Sequence, residues 1–430
     1  MALPAIAQQL LHTLVFLVDR AMLGRYGAHA LASMQINGPI TWSVFSVLSA
    51  FAVGTVALVG RAVGAGDRQL ASAATRASLM YAIGAGLLVA GAGLAGLGGI
   101  LALFPEAGPQ VHEAARSYLV IVLPAMPLYL LSFTSASALQ AAGDTRTPFV
   151  VAAAGNVLNV TLNWALIFGH WGAPRLGVAG AAVASASAMA LQGLVLAGLL
   201  SGRRRRVSWR GRGGEWAALA RMARVATAAV GERIVQHAGY LGYVAMIGVL
   251  GSMAMAANQA LLSIEAVAFL SADGFGIAAA AVVAQRLGGG EPAEAARGAR
   301  VATGLGIALL SACGLAFVLV PRLLLGAFSD DADIVAMGVP CMYVAAAAQP
   351  FMATAVVLSE AMRGAGATRT ALVVTLIGGL AVRLGVTAIC AFSLGWGLVG
   401  VWVGSTVDWV VRAVLLVAVF VRGRWREARV

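Results

Sequence analysis

Asp19 stands about sixteen residues into an apolar run that begins near residue 3, where an ionisable side chain is costly unless it is paired or used. A second apolar run, 148–169, carries Asn156, Asn159 and Asn163, and the last two are four apart on one helical face. If both runs are helices rising ~1.5 Å per residue, Asp19 sits in the outer half of a bilayer with the two amides near its depth. Low dielectric disfavours an ionised carboxylate, so a group placed this way can take up and release a proton near physiological pH. Nearby amides could follow that change of state or lend carbonyl oxygens to Na⁺. Asp19, Asn159 and Asn163 are therefore a candidate site for H⁺ or for Na⁺, the latter at Asp19 and Asn159. The bland alternative is a helix-end acid reaching outer water, with asparagines that glue helices together.

Other charged residues interrupt later apolar runs: Glu232 and Arg233 in 222–249, Glu265 in 258–285, Arg383 in 371–392, and Asp408 with Arg412 in 397–421. Asp408 and Arg412 have the i, i+4 spacing of a helical ion pair. Arg383 needs a counter-charge, for which Asp408 or Glu232 would serve, and Arg383 with Asp408 is read as a structural pair. Glu232 and Glu265 remain open between structure and transport. Glu360, near a helix end, is read as wet, and Asp273, before Gly274-Phe275-Gly276, marks an expected irregular point.

These residues need apolar elements around them, and composition supplies them. The chain is 60% hydrophobic and 11% charged, whereas soluble domains carry roughly 25% charge. Twelve apolar stretches are each about 20 residues or longer, enough to cross a ~30 Å hydrocarbon core. They are 3–24, 38–60, 76–103, 116–140, 148–169 and 176–200, then 222–249, 258–285, 300–327, 338–363, 371–392 and 397–421. The first lacks the basic leader and cleavage site of a signal peptide, so it is expected to remain as a membrane helix.

The net charge of +12 suggests nucleic acid until its distribution is considered. Arg61, Arg68, Arg76, Arg146, the Arg203, Arg204, Arg205 and Arg206 run, Arg286, Arg297, Arg363, Arg369 and the tail Arg422 to Arg429 all fall on one side of a twelve-span layout. The other side carries little more than Arg25, Arg116, Arg175 and Arg322 with the acids Asp330, Asp331 and Asp333. Such bias predicts both termini in the cytoplasm of a multi-pass protein of the bacterial inner membrane. The arginine-rich stretch is read as a linker on anionic lipid, not as a nucleic-acid site.

Some signals are set aside. Gly91-x-Gly93-x-x-Gly96 and Gly395-x-Gly397-x-x-Gly400 lack the βαβ context of a dinucleotide site. Gly60-x-x-x-Gly64 and Gly400-x-x-x-Gly404 read instead as close helix packing. Cys313, Cys341 and Cys390 have no metal or redox spacing. No carboxylate pair or His cluster suggests an enzyme. No cofactor is implied, and no metal beyond a possible Na⁺.

The chain also repeats itself. Leu139 to Thr147 returns as Met362 to Thr370, 223 residues on, and Gly64 to Asp67 returns as Gly288 to Glu291, 224 on. Gly177 and Gly180 return as Gly397 and Gly400, 220 on. Internal repeats of apolar segments characterise secondary transporters. Six spans per copy make the copies parallel. The expectation is an all-α membrane protein, twelve transmembrane helices in two six-helix repeats forming a two-lobed bundle: lobe 1–200, linker 201–221, lobe 222–430. The equivalents of Asp19, Asn159 and Asn163 are Tyr243, Val382 and Val386, and that of Glu232 is Gln8.

Val18-Asp19-x-x-Met22-x-Gly24-x-x-Gly27 resembles the first-helix signature of multidrug and toxic compound extrusion (MATE) transporters. Leu139-x-x-x-Gly143-Asp144-Thr145-Arg146-x-Pro148 resembles the loop between their fourth and fifth helices. Asn159-x-x-x-Asn163, Ile167-Phe168-Gly169, Leu176-Gly177-Val178-x-Gly180, Gly274 to Ala278 and Gln285 to Glu291 follow the family in order, with most similarity to the DinF-like prokaryotic branch. The resemblance implies an antiporter that exports cationic or amphipathic small molecules in exchange for H⁺ or Na⁺, with Asp19 as the coupling acid. It implies a monomer in contact with membrane lipids. A flippase for a lipid-linked or metabolite substrate is the alternative on the same fold. The chain departs from the family at Asn163, where many members have Asp, and at Ala367, opposite Asp144. The second-lobe acid of Na⁺-coupled members has no clean counterpart, Glu232 lying within about one turn of it.

Overall fold

A computed structural model of the protein describes residues 2–102, 104, 108–202, 207–328 and 331–428; Arg203, Arg204, Arg205, Arg206, Asp330 and Arg429 lie outside them. The described residues are helical, with no strand, so neither glycine fingerprint has the setting a dinucleotide needs. One compact unit spans Ala7–Ala223; the other spans Arg224–Val430 together with Ala2–Ile6.

The first half runs α1 (Ala2–Tyr26), α2 (Ala28–Ser49), α3 (Ala52–Gly64), α4 (Arg68–Ala95), α5 (Leu97–Ala102), α6 (Pro109–Ala141), α7 (Arg146–Phe168) and α8 (Val178–Leu199). The second runs α9 (Glu215–Val249), α10 (Ser252–Gly288), α11 (Pro292–Leu319), α12 (Pro321–Gly326), α13 (Ala332–Gly364), α14 (Thr368–Thr375), α15 (Arg383–Thr387) and α16 (Gly397–Arg422). Ten helical stretches among the described residues are long and apolar enough to cross a membrane. The α1 and α9 helices, 25 and 35 residues long, add the first span of each half. At ~1.5 Å per residue both exceed the ~30 Å core. Large apolar side chains such as Leu88, Val157, Leu319 and Val421 are exposed, as a lipid surround allows, while small alanines pack between larger buried residues such as Leu58, Leu130 and Trp402 inside.

The repeat is visible in the backbone. Gly66 and Gly290 have φ of 73° and 74°, and Gly143 and Gly366 have 92° and 83°, a left-handed conformation that glycine adopts without strain. Each unit is organised on one long helix: α6 packs on α2, α3, α4 and α8, and α13 packs on α10, α11 and α16. Asp67 caps α4 by accepting from Leu70 N at 2.9 Å. Asp144 accepts from Thr147 N at 3.0 Å and Oγ1 at 2.6 Å at the start of α7. Ala367, its counterpart, gives α14 no such cap.

Three expectations about the spans are corrected. Asp273 does not interrupt its helix: α10 continues through Gly274 and Gly276, since isolated glycines cost a helix only about 1 kcal/mol each and packing on α13 holds it. The interruption falls in the first half, where α2 and α3 are separated at Ala50 and Phe51. Span 371–392 is not a plain α-helix, because π-helical turns at Leu376–Val382 and Ala388–Ser393 flank α15. The linker is also shorter than 201–221, as α9 starts at Glu215. Arg76 holds this connection by donating to Gly213 O at 2.7 Å and Arg210 O at 3.3 Å.

Gly400 and Gly404 press α16 against the backbone of Cys390, Ala391 and Thr387, as their spacing suggested. Gly378 passes as closely to Arg412, whose Cγ would lie 2.5 Å from an added Cβ. Gly378→Val is expected to cost at least about 1–3 kcal/mol by overpacking. A lowered thermal midpoint of the detergent-solubilised protein checks this, and an unchanged midpoint rejects the close approach.

Candidate functional site

The first unit brings Asp19, Asn159 and Asn163 together. Asn163 Nδ2 donates to Asp19 Oδ1 at 2.5 Å and to Asn159 Oδ1 at 3.0 Å. Asn159 Nδ2 continues the chain to Ser185 Oγ on α8 at 3.3 Å. Both amides are buried, and Asp19 is half-buried a full two turns before the end of α1, not at a wet helix terminus. Among the described residues the carboxylate makes no ion pair, and its hydrogen bond is to a neutral amide. The carbonyl oxygen of Asn163 is buried without a donor. Tyr118 and Tyr129 on α6 stand within electrostatic range of Asp19, and Tyr129 also reaches Ser185. Sequence reasoning missed Ser185 and both tyrosines, because a hydroxyl in an apolar run is common and gives no spacing signal. Asn156 is buried, with its amide nitrogen unpartnered. It does not join the chain of bonds through Asn159 and Asn163.

No group of three or more His, Cys, Asp or Glu among the described residues is placed to hold a metal. Any cation here would have one carboxylate and amide oxygens as ligands. That set suits a proton or a singly charged hard ion, not a tightly held divalent one.

In the second unit Arg383 finds Asp408, one of its two expected partners, through Nε at 2.9 Å. Arg412 binds the same carboxylate through Nε at 2.6 Å and Nη2 at 2.9 Å, completing the i, i+4 pair. Tyr243, which stands where Asp19 does in the repeat, packs under the Arg383 guanidinium at 5.4 Å. Glu265 lies within charge–charge range of Arg383.

Glu232 belongs elsewhere. Its carboxylate accepts from Arg363 Nη2 at 2.6 Å and Nε at 3.2 Å, and from Thr375 Oγ1 at 2.9 Å. Glu360 pairs with the same arginine. Two readings are thereby corrected: Glu360 is not a wet residue, and Arg363 is a buried member of α13, not a loop cation. The end of α13 is covered by its neighbours, which hydropathy along one chain does not reveal. In the first unit the equivalent positions, Gln8 and Gln140, are also bonded to each other, at 3.2 Å. One contact is thus an ion pair in one half and an amide pair in the other.

An all-helical, twice-repeated bundle with an isolated acid in one half defines a membrane transporter of the secondary type. The sequence matches the MatE family over residues 4–165 and again over 228–389, so the chain belongs to that family, whose members are transporters and not enzymes. It is 28% identical over 436 residues to the probable multidrug resistance protein NorM of Thermotoga maritima, covering 100% of this chain and 93% of the other. It is 31% identical to the NorM of Pseudomonas aeruginosa, covering 99% and 88%. In fold it resembles a MATE transporter solved in a straight conformation, with a TM-score of 0.89 at 20% identity, over 99% of this chain and 94% of that one. The same kind of protein in a bent conformation gives 0.87 at 19%, with the same coverage. The likeness supports a multi-pass exporter of drugs or toxins.

Removing one partner of a buried ion pair costs about 3–5 kcal/mol. Glu232→Gln alone should therefore lower the thermal midpoint sharply. The triple change Glu232→Gln, Glu360→Ser and Arg363→Gln copies the first-unit set Gln8, Ser137 and Gln140 and should restore most of the loss. A triple variant no more stable than the single one would show that the two contacts are not equivalent.

Proposed function

We propose that this chain is a cation-coupled antiporter that exports cationic or amphipathic small molecules by alternating access, with Asp19 as the coupling residue. The observation that carries the reading is a half-buried carboxylate held by Asn163 and unpaired with any cation among the described residues. A charge left in that position is costly until a proton or Na⁺ neutralises it. Binding of either ion stabilises the arrangement of the first unit in which the acid is sheltered. A positively charged cargo competes for the same charge, and the exchange follows from that competition. The ligand moves the equilibrium only through its different affinity for the two arrangements. The amide oxygen of Asn163, buried without a donor, is an acceptor for a protonated Asp19 or a ligand for Na⁺.

The arginine distribution supports a bacterial inner-membrane protein with both termini in the cytoplasm. The basic linker and tail rest on anionic headgroups.

Dye efflux from inverted vesicles, driven first by an imposed pH gradient and then by a Na⁺ gradient, identifies the ion. Asp19→Asn keeps the size and the bond to Asn163 but not the charge. It should abolish coupled efflux under both gradients while the protein remains folded by size-exclusion profile and thermal midpoint. Undiminished efflux by this variant would overturn the reading.

A further inference from the structure

Two cations share one carboxylate inside the second unit. Arg383 and Arg412 both bind Asp408, which is fully buried, so one positive charge there lacks a bonded counter-ion. Arg412 uses two of its nitrogens on Asp408, whereas Arg383 uses Nε alone. The two terminal amino groups of Arg383 have no hydrogen-bond partner among the described residues, and its side chain is 17% exposed. Two buried aromatic rings wall the guanidinium, Tyr243 at 5.4 Å and Trp409 at 5.6 Å, and the exposed ring of Phe269 lies 6.4 Å from that of Trp409. The rings and Arg412 keep Arg383 from collapsing onto another partner. Glu265 on α10 is the other carboxylate that reaches Arg383 through space. It makes no hydrogen bond or ion pair among the described residues.

We propose that Arg383, braced by the buried rings of Tyr243 and Trp409, forms a subsite for the carboxylate of an aromatic, amphipathic cargo. The planar fork of a guanidinium holds a carboxylate through two parallel hydrogen bonds, and the exposed ring of Phe269 beside Trp409 receives the apolar body. Asp408 and Arg412 hold the fork in orientation, so little freedom is lost on binding. Glu265 competes for the same charge from within the protein and weakens the cargo's hold. The position gains weight from the repeat, because Tyr243 beneath the guanidinium is the counterpart of Asp19. At this place in the repeat one half carries an acid, and the other a ring packed on a base. The inference takes from the proposed function only that the chain carries amphipathic small molecules, and extends their class to those bearing a carboxylate.

The test is equilibrium binding to the purified, detergent-solubilised protein, read by fluorescence polarisation. The probes are rhodamine 110, which has a free carboxylate, and rhodamine 123, its methyl ester. Arg383→Gln should weaken rhodamine 110 binding on the order of tenfold, the worth of one charge-assisted contact, and leave rhodamine 123 unchanged. Glu265→Gln should tighten rhodamine 110 and leave rhodamine 123 unchanged. Equal weakening of both dyes by Arg383→Gln, no gain from Glu265→Gln, or no binding of rhodamine 110 to the unaltered protein would overturn the proposal. The binding measurement uses no gradient and reads only the difference between the two dyes, whereas the coupling test reads efflux under a gradient, so a failed coupling test and a failed subsite test are told apart.

Discussion

A charge inside a lipid-embedded helical bundle has no water to stabilise it, and each must be met by another charge, an amide or a ring within bonding distance. The interior of this protein is arranged around that constraint. Asp408 answers two arginines, Arg363 answers two glutamates, and rings of Tyr243 and Trp409 cover the guanidinium that is least satisfied. Asp19 is met by one neutral amide and by no cation among the described residues, and the proposed coupling rests on that imbalance. Such an imbalance is what a coupling site requires, since a permanently paired acid would have no affinity left for an exchanging ion.

Duplication produced two units with the same geometry and different chemistry. Glycine meets a long polar side chain at Gly155 and Gln192 in one half and at Gly378 and Arg412 in the other. The helix-to-helix contact at Gln8 and Gln140 is neutral, while the one at Glu232 and Arg363 is ionic. Because the shared positions are held by backbone turns and small residues, the polar residues set into them could diverge without loss of the fold. The first unit gathered an acid and amides, the second bases and carboxylates. The π-helical turns around Arg383 belong to this divergence. The matching stretch of α7 is regular, and widened turns in a helix often mark the place where a functional side chain is presented.

Much of this was legible in the sequence because membrane spans are set by local properties. Length, hydropathy, the arginine bias and the near-constant offset between copies are read along the chain, and they led to twelve helices in two repeats. The pairing of Asp408 with Arg412 and the shared face of Asn159 and Asn163 follow from helical periodicity alone. The family likeness of the first-helix and loop motifs pointed to the same architecture that the MatE match shows.

Contacts between distant segments were decided only by packing. Glu360 looked like a wet residue near a helix end, yet α9 and α13 meet there and leave Arg363 in the grip of two carboxylates. Ser185, Tyr118 and Tyr129 joined the acid site because α6 and α8 pack beside α7, at separations no periodic rule covers. Asp273 and its glycines suggested a break, but the neighbours of α10 hold the helix straight through them. Sequence by itself determined which segments enter the lipid and how often the unit recurs, since hydropathy and repetition are properties of the chain taken in order. Tertiary structure alone decided which charges meet, because a counter-ion is chosen by distance in space and not by distance along the backbone.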